Sequence, residues 1–501
     1  MLFNSLDFLV FFFIVLGAIG VFHYRKFQHL FLMLSSLFFL YYTDNYLVTL
    51  LVFTILLHFY TGRAIYTANS QKRKKIFFVI ALVGSLGLLG FFKYADFTIL
   101  QFNLLGNIIN LGSEIPILNL ALPIGISFYT FQSLSYIIDI YRGHLTPTKS
   151  LKEYAFFVAF FPTLVAGPIL RASQFLPQLK EKIEQAKSSE RLRLFIIQNS
   201  RLKFGVSLMA VGFFKKIFFA DNIAPLVNNI FSNPMGLESF SVILGSIAFG
   251  IQVYCDFSGY SDIAIGAAAI LGFKIPLNFN KPFFATSPSD FWSRWHISLS
   301  SWVRDYLYFP LALKHRRFSV IVFPSLLFSM VVMGLWHGAS WNFVVWGVFH
   351  GIFLAVFTIL RRKYSKPTEP FFKSKFGKPF SIFVTQYLVF FTFIVFIVQD
   401  FDHMWYALKK YVILDFETSQ TIEIINENEF ASLLIILFVA LHYISYRLDG
   451  LHGKSNSEGQ ALPEIISKLK LRYWILFLIS IILPISLFYV GSAQEFFYFK
   501  F

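Results

Sequence analysis

One cysteine, Cys255, in 501 residues leaves no disulfide framework, no thiolate metal cage and no redox pair. Charge is scarce too. Asp, Glu, Lys and Arg make up 14% of the chain, against roughly 25% in a soluble domain. No G-x-x-x-x-G-K-[ST], H-E-x-x-H or G-x-S-x-G occurs, so P-loop ATP hydrolysis, zinc proteolysis and an in-chain serine hydrolase lack their residues. No acidic pair resembles the two carboxylates of a glycosidase in an outward-facing domain. There is no internal repeat and no long linker. The two pseudo-symmetric halves expected of a transporter are missing as well.

What fills the chain is apolar surface. Hydrophobic residues account for 56% and aromatic ones for 20%, Phe alone occupies 67 positions, and the mean hydropathy is +0.63. No water-soluble fold hides that much, so the composition predicts an all-α integral membrane protein and excludes secreted enzymes and cytosolic domains. At about 20 apolar residues per span, the length accommodates roughly ten to thirteen spans. Apolar runs lie near 6–22, 27–41, 46–61, 77–92, 119–140, 155–170, 204–220, 240–254, 263–273, 318–336, 341–360, 381–399, 431–446 and 473–490. Several are too short to cross and read as re-entrant or tilted. The first begins almost at Met1 with no basic n-region and reads as a retained span rather than a cleaved signal.

The net charge is +16 and the pI about 9.6. On a soluble protein that would raise the question of nucleic acid. Here the basic residues cluster in short loops, as the positive-inside rule requires, and no nucleic-acid partner is expected. Arg63 and Lys72–Lys75 place one loop in the cytoplasm, and Arg361, Arg362, Lys363, Lys366, Lys373, Lys375 and Lys378 place another there. Between 400 and 430 the sign reverses, with Asp400, Asp402, Asp415, Glu417, Glu423, Glu427 and Glu429 against Lys409 and Lys410, so that stretch reads as outside. Two further spans leave the C-terminus extracytoplasmic. Segment 171–203 mixes charges with scattered apolar residues and predicts an interfacial or cytosolic helix pair. In the run before it, Pro162, Gly167 and Pro168 predict a break and a re-entrant path.

The stretch 274–317 is neither a span nor an ordinary loop. Lys274, Lys281, Arg294, Arg304 and Lys314 alternate with aromatic residues, while Pro276, Pro282 and Pro288 interrupt any helix. Non-helical backbone at membrane depth survives only where it is buried in protein or lines a wet cavity, so this stretch is the first sign of a working site.

Histidines narrow the search. His23, His29, His58 and His144 sit at the ends of apolar runs, and His315, His403, His442 and His452 fall in or beside loops; all read as structural. His337 stands between two apolar runs in GLWHGASW, among small neighbours that permit close approach. An ionisable group there is costly and marks either a site or an interhelical hydrogen bond. A buried imidazole that stays neutral can take a proton from a hydroxyl. His350 lies thirteen residues on, off the same helical face, so a two-histidine metal site is not expected. His296 occupies the middle of the anomalous stretch. Asp256 and Asp262 read as intramembrane carboxylates that either pair with Arg294 or Arg304 or take part in chemistry.

At these residues the sequence resembles the membrane-bound O-acyltransferase (MBOAT) family, in its bacterial alginate and peptidoglycan O-acetyltransferase branch. Five segments carry the resemblance in order: LPIGISFYTFQSLSYIIDIYRG (122–143), FFPTLVAGPI (160–169), YCDFSGYSDIAIG (254–266), RWHISLSSWVRDYLYFPL (294–311) and GLWHGASWNFVVWGVFHG (334–351). The resemblance implies one membrane domain over 1–501, with about 11–13 transmembrane or re-entrant helices in a ring around a thin central tunnel. The catalytic core would lie at about 119–351 and an aromatic tail at 495–501. It carries the family's catalytic histidine onto His337 and its second histidine onto His296. It also implies an acyl thioester donor such as acetyl-CoA, with no permanently bound cofactor or metal. The implied acceptor is a glycan outside the bacterial inner membrane, an alginate-like exopolysaccharide or peptidoglycan. A periplasmic or secreted SGNH-hydrolase-like transferase would be the partner. The closing EFFYFKF resembles an aromatic motif whose tyrosine carries the acyl group outward, which would be Tyr498, unless these rings simply anchor the end of the last span. Two rivals stand beside this expectation: a polytopic transporter or flippase with proton-relaying histidines, and a lipid or protein acyltransferase of the same fold.

Overall fold

The computed structural model describes residues 3–22, 24–110, 112, 114–165, 167–188, 195, 198–313, 321–451 and 461–489. Helices and their connections account for all of them, with no strand among the described residues. Hydrocarbon offers no partner for a backbone N–H or C=O, so a chain this apolar must satisfy those groups within each helix. Six helical stretches are long and apolar enough to cross a membrane: Phe27–Thr67, Gln71–Ile108, Ser239–Ile270, Trp341–Tyr364, Gly377–Ile397 and Glu429–Asp449. Leu6–Val21, Val322–His337 and Leu471–Leu487 are shorter apolar helices. The protein is an all-α polytopic membrane protein.

The chain divides into two compact units, residues 1–202 with 267–276, and residues 203–266 with 277–501. The first holds α1 (Leu6–Val21), α2 (Arg25–Asp44), α3 (Val48–Thr67), α4 (Gln71–Ile108), α5 (Ile126–Tyr141), α6 (Leu151–Ala159), α7 (Phe161–Leu164) and α8 (Ala172–Ser188). Ser70 caps α4 through the Arg73 N–H, just before the basic Lys72–Lys75 turn. At 1.5 Å per residue α4 runs roughly 57 Å, well beyond a hydrocarbon core of about 30 Å. His58 joins α3 to α4. Its Nδ1–H donates to the Thr54 carbonyl at 2.8 Å, so its Nε2 accepts from the Ser85 hydroxyl, also at 2.8 Å. The run at 155–170 breaks after Ala159, and α7 is a single turn with Pro162 at its start. Around it Phe156, Phe160, Phe175 and Phe273 pack with ring centroids 4.7–5.9 Å apart.

The second unit opens with α9 (Asn199–Phe213, from Lys203 onward), which runs through a π-helical stretch, Phe214–Ala220, into α10 (Asp221–Phe231). Beside it lies α11 (Ser239–Ile270, to Gly266 in this unit). The two backbones meet at glycine: a Cβ on Gly212 would stand 2.6 Å from the Gly259 carbonyl oxygen. Short helices follow: α12 (Pro288–Arg294), α13 (Ile297–Val303) and α14 (Phe309–Leu313), with a π-helical turn at Arg304–Tyr308. Then come α15 (Val322–His337), α16 (Trp341–Lys373), α17 (Gly377–Ile397), α18 (Phe401–Val412), α19 (Ser419–Glu427), α20 (Glu429–Leu451), α21 (Ala461–Ser467) and α22 (Leu471–Leu487). α15 and α16 form a tight antiparallel hairpin. A Cβ on Gly334 would lie 2.1 Å from the Phe343 carbonyl oxygen, and one on Gly347 2.5 Å from that of Met330, so bare backbone lets the two helices touch.

Candidate active site

His337 is the last residue of α15, and the extended Gly338 turns the chain toward α16. Ser340 caps α16 by accepting from the Asn342 N–H, and the Asn342 amide donates to the Val398 and Gln399 carbonyls. These contacts pin the turn at both ends. The imidazole of His337 is buried in aromatic rings, with centroids 5.0 Å from Trp336, 5.0 Å from Trp346 and 5.2 Å from Phe396, the last two edge-on.

His296 is 1% exposed and sits in the two-residue break between α12 and α13. The break is built locally. Ser287 caps α12, Pro288 occupies its first turn, and Asp290 accepts from both the Thr286 N–H and the Arg294 side chain. The chain then meets residues 278–280, where Asn280 N–H donates to the Arg294 carbonyl and Ile297 N–H to that of Asn278, both at 2.9 Å. Between those two anchors His296 is held at φ 43°, ψ 54°, a left-handed backbone that costs a non-glycine residue about 1–3 kcal/mol. Such strain persists only where the surroundings enforce it.

Asn278 enforces it. Its Nδ2 donates to the Ser261 hydroxyl at 3.0 Å, which fixes the amide's orientation. Its Oδ1 therefore accepts, from the Ser298 hydroxyl at 2.6 Å and from His296 Nδ1 at 3.3 Å. The proton of neutral His296 is thereby assigned to Nδ1, and Nε2 is its acceptor nitrogen. The ring stands edge-on to Phe257, centroids 4.6 Å apart, and tilts toward Trp336 at 6.0 Å. Trp336 thus packs against both His296 and His337 and brings the two predicted residues into one aromatic shell.

The shell extends to His350. Its ring lies 4.5 Å from Trp346 and 5.1 Å from Trp292, and its Nε2 is 3.0 Å from the Thr392 hydroxyl. Thr392 already donates its only hydroxyl proton to the Val389 carbonyl at 2.7 Å, so it accepts from His350 Nε2–H. No group of three or more His, Cys, Asp or Glu that would hold a metal ion occurs among the described residues.

The carboxylates differ from expectation. Asp262 pairs with Lys215 at 2.6 Å, and Asp256 with Lys216 at 2.7 Å, while Lys216 also reaches Asp221 at 2.8 Å. Arg294 and Arg304 bind Asp290 and Asp305 instead. The π-helical stretch presents Lys215 and Lys216 to α11, and both carboxylates are engaged in ion pairs. His442 is a second correction. It lies inside α20, buried, with its ring stacked 5.1 Å from Phe438 and 5.4 Å from Phe284. Tyr498, His23, His315 and His452 lie outside the described residues. Asn278, Trp346 and Thr392 went unassigned in the sequence, although the first two stand inside the segments it marked.

Residues 141–399 match the membrane-bound O-acyltransferase family. A peptidoglycan O-acetyltransferase of Helicobacter pylori is 34% identical over 401 residues, covering 74% of this chain and 72% of that protein. A probable alginate O-acetylase of Azotobacter vinelandii is 41% identical over 285 residues, 56% of this chain and 53% of that protein. A teichoic acid D-alanyltransferase of Streptococcus thermophilus is 30% identical over 308 residues, 57% of this chain and 70% of that protein. The chain belongs to the membrane-bound O-acyltransferase family and is a multi-pass membrane acyltransferase.

Proposed function

We propose that this protein O-acetylates a bacterial envelope glycan, moving the acetyl group from a cytosolic thioester such as acetyl-CoA to a hydroxyl outside the inner membrane. The observation that carries this reading is the single aromatic shell around His296 and His337, two buried imidazoles bridged by Trp336. His337 is the general base. It takes the proton of the attacking hydroxyl and returns it to the departing thiol. His296 positions the donor: its neutral ring offers Nε2 as an acceptor to an N–H or O–H of the thioester arm.

The relatives named for alginate and for peptidoglycan support a glycan acceptor. The charge bias of the loops supports an extracytoplasmic C-terminus, where Tyr498 would receive the acetyl group and pass it to an SGNH-hydrolase-like transferase outside. The test uses protein in liposomes with acetyl-labelled CoA and a soluble oligosaccharide or Tyr-containing peptide acceptor. Label should move to acceptor with the normal protein and not with His337→Ala. Equal transfer by both would overturn the assignment. Transfer from a D-alanyl carrier-protein thioester but not from acetyl-CoA would move the chain to the chemistry named for the streptococcal relative.

A further inference from the structure

An acyl transfer needs more than a base. When a hydroxyl adds to a thioester, the carbonyl oxygen takes the π electron pair, and donors must already point at it. His296 does not meet this need in its neutral form, because Asn278 holds the proton on Nδ1. His337 spends its donor capacity on the departing thiolate. Further donors must therefore come from the shell itself.

Two are present. The indole N–H groups of Trp346 and Trp292 are buried, and neither finds an acceptor among the described residues. The residues are 3% and 8% exposed. A buried donor without an acceptor is costly, and natural proteins retain few of them without a reason. These two belong to one cluster. The Trp346 ring is 5.0 Å from His337 and 5.8 Å from Trp292, at interplanar angles of 84° for both pairs. Their placement is fixed by residues on separate elements: His350 packs on both indoles and is itself held by Thr392 of α17. The cluster thus sets the Trp346 indole against the proposed base and the Trp292 indole against Trp346.

We infer that the indole N–H of Trp346, assisted by that of Trp292, donates to the thioester carbonyl oxygen as it becomes an oxyanion. This rests on the assignment of His337 as the base. In the step, the acceptor oxygen bonds to the carbonyl carbon while its proton passes to His337, and the carbonyl electron pair moves onto the oxygen held by the indoles. The C=O bond then reforms, the C–S bond breaks, and the thiolate leaves with the proton from His337. No further reagent is needed.

The experiment compares Trp346→Phe and Trp292→Phe with the normal protein in the liposome assay, at matched amounts of folded protein. Phe keeps an aromatic ring and removes the N–H. Loss of one oxyanion donor lowers kcat by about 100-fold or more, and KM for the thioester should change little. A second form carries benzothienylalanine at position 346, in which sulfur replaces the N–H within an indole-sized ring; it should show the same fall in kcat. Wild-type kcat in this form or in Trp346→Phe would overturn the inference. A rise in KM at unchanged kcat would overturn it too, since that is the mark of a packing role. The His337→Ala protein separates the two claims. If it is inactive while both indole replacements run at full rate, only the oxyanion assignment falls. If it is active, the reading of the base falls first.

Discussion

Replacing Asn278 by Ala tests whether the strained His296 is a positioned residue. The amide makes three side-chain contacts in a buried site: donation to Ser261 at 3.0 Å, and acceptance from Ser298 at 2.6 Å and from His296 Nδ1 at 3.3 Å. Ser261 keeps a hydroxyl that can turn to another acceptor. The Ser298 hydroxyl and His296 Nδ1–H lose theirs, and an orphaned buried donor costs about 1–3 kcal/mol. The two main-chain bonds that hold His296 in its left-handed backbone survive the replacement, so the loss of stability should be about 2–6 kcal/mol, at about 1–3 kcal/mol for each lost side-chain bond. Activity should suffer too, because a displacement of about 1 Å at a reacting group lowers a rate by around 100-fold. Asn278→Asp keeps an acceptor for Ser298 and His296 while losing the donation to Ser261, and should recover part of that loss. The assay is acetyl transfer in liposomes, normalised to monodisperse protein. Wild-type kcat in Asn278→Ala would refute the reasoning, since it would mean that the position of His296 does not matter.

Other perturbations test the frame around the site. Lys216→Met leaves Asp221 and Asp256 without their shared cation in a site where Lys216 is 2% exposed, and should destabilise by about 3–5 kcal/mol, read as loss of folded protein from membranes. Thr392→Val removes the acceptor of His350 Nε2–H and should cost about 1–3 kcal/mol, seen as a lower thermal midpoint in detergent. Asp415 has its carboxyl pKa lowered to about 2 by the Lys410 hydrogen bond, so its contribution to stability is complete above about pH 5 and is lost as pH falls toward 2. Asp415→Asn should therefore lower the thermal midpoint at pH 6 and flatten the fall in midpoint between pH 5 and pH 3; an unchanged profile would contradict that pairing.

Membrane residence, the broken run after Ala159 and the location of His296 and His337 were all legible in the residues. Hydropathy and proline act locally, and an ionisable group in an apolar run stands out by itself. What hid from the sequence was set by contacts between distant segments. Asn278 acts on His296 eighteen residues away because residues 278–280 return along 294–297, and no local pattern marks that pairing. The lysine partners of Asp256 and Asp262 are hidden because the π-helical stretch that turns Lys215 and Lys216 toward them has no composition of its own. The nearness of His350 to the site is likewise hidden, because helical spacing does not carry across the turn after His337. The two lie on successive antiparallel helices, where thirteen residues bring both rings onto Trp346.

The most direct measurement of the central claim is ester-linked acetate released by mild base from separated wall and exopolysaccharide fractions. Cells with the normal gene, without it, and with His337→Ala at matched membrane levels are compared. The account predicts that one fraction loses its acetate in the deletion and that His337→Ala matches the deletion. Unchanged acetate in every fraction would contradict acetyl transfer to a glycan, and normal acetate in the His337→Ala cells would remove His337 from its chemistry.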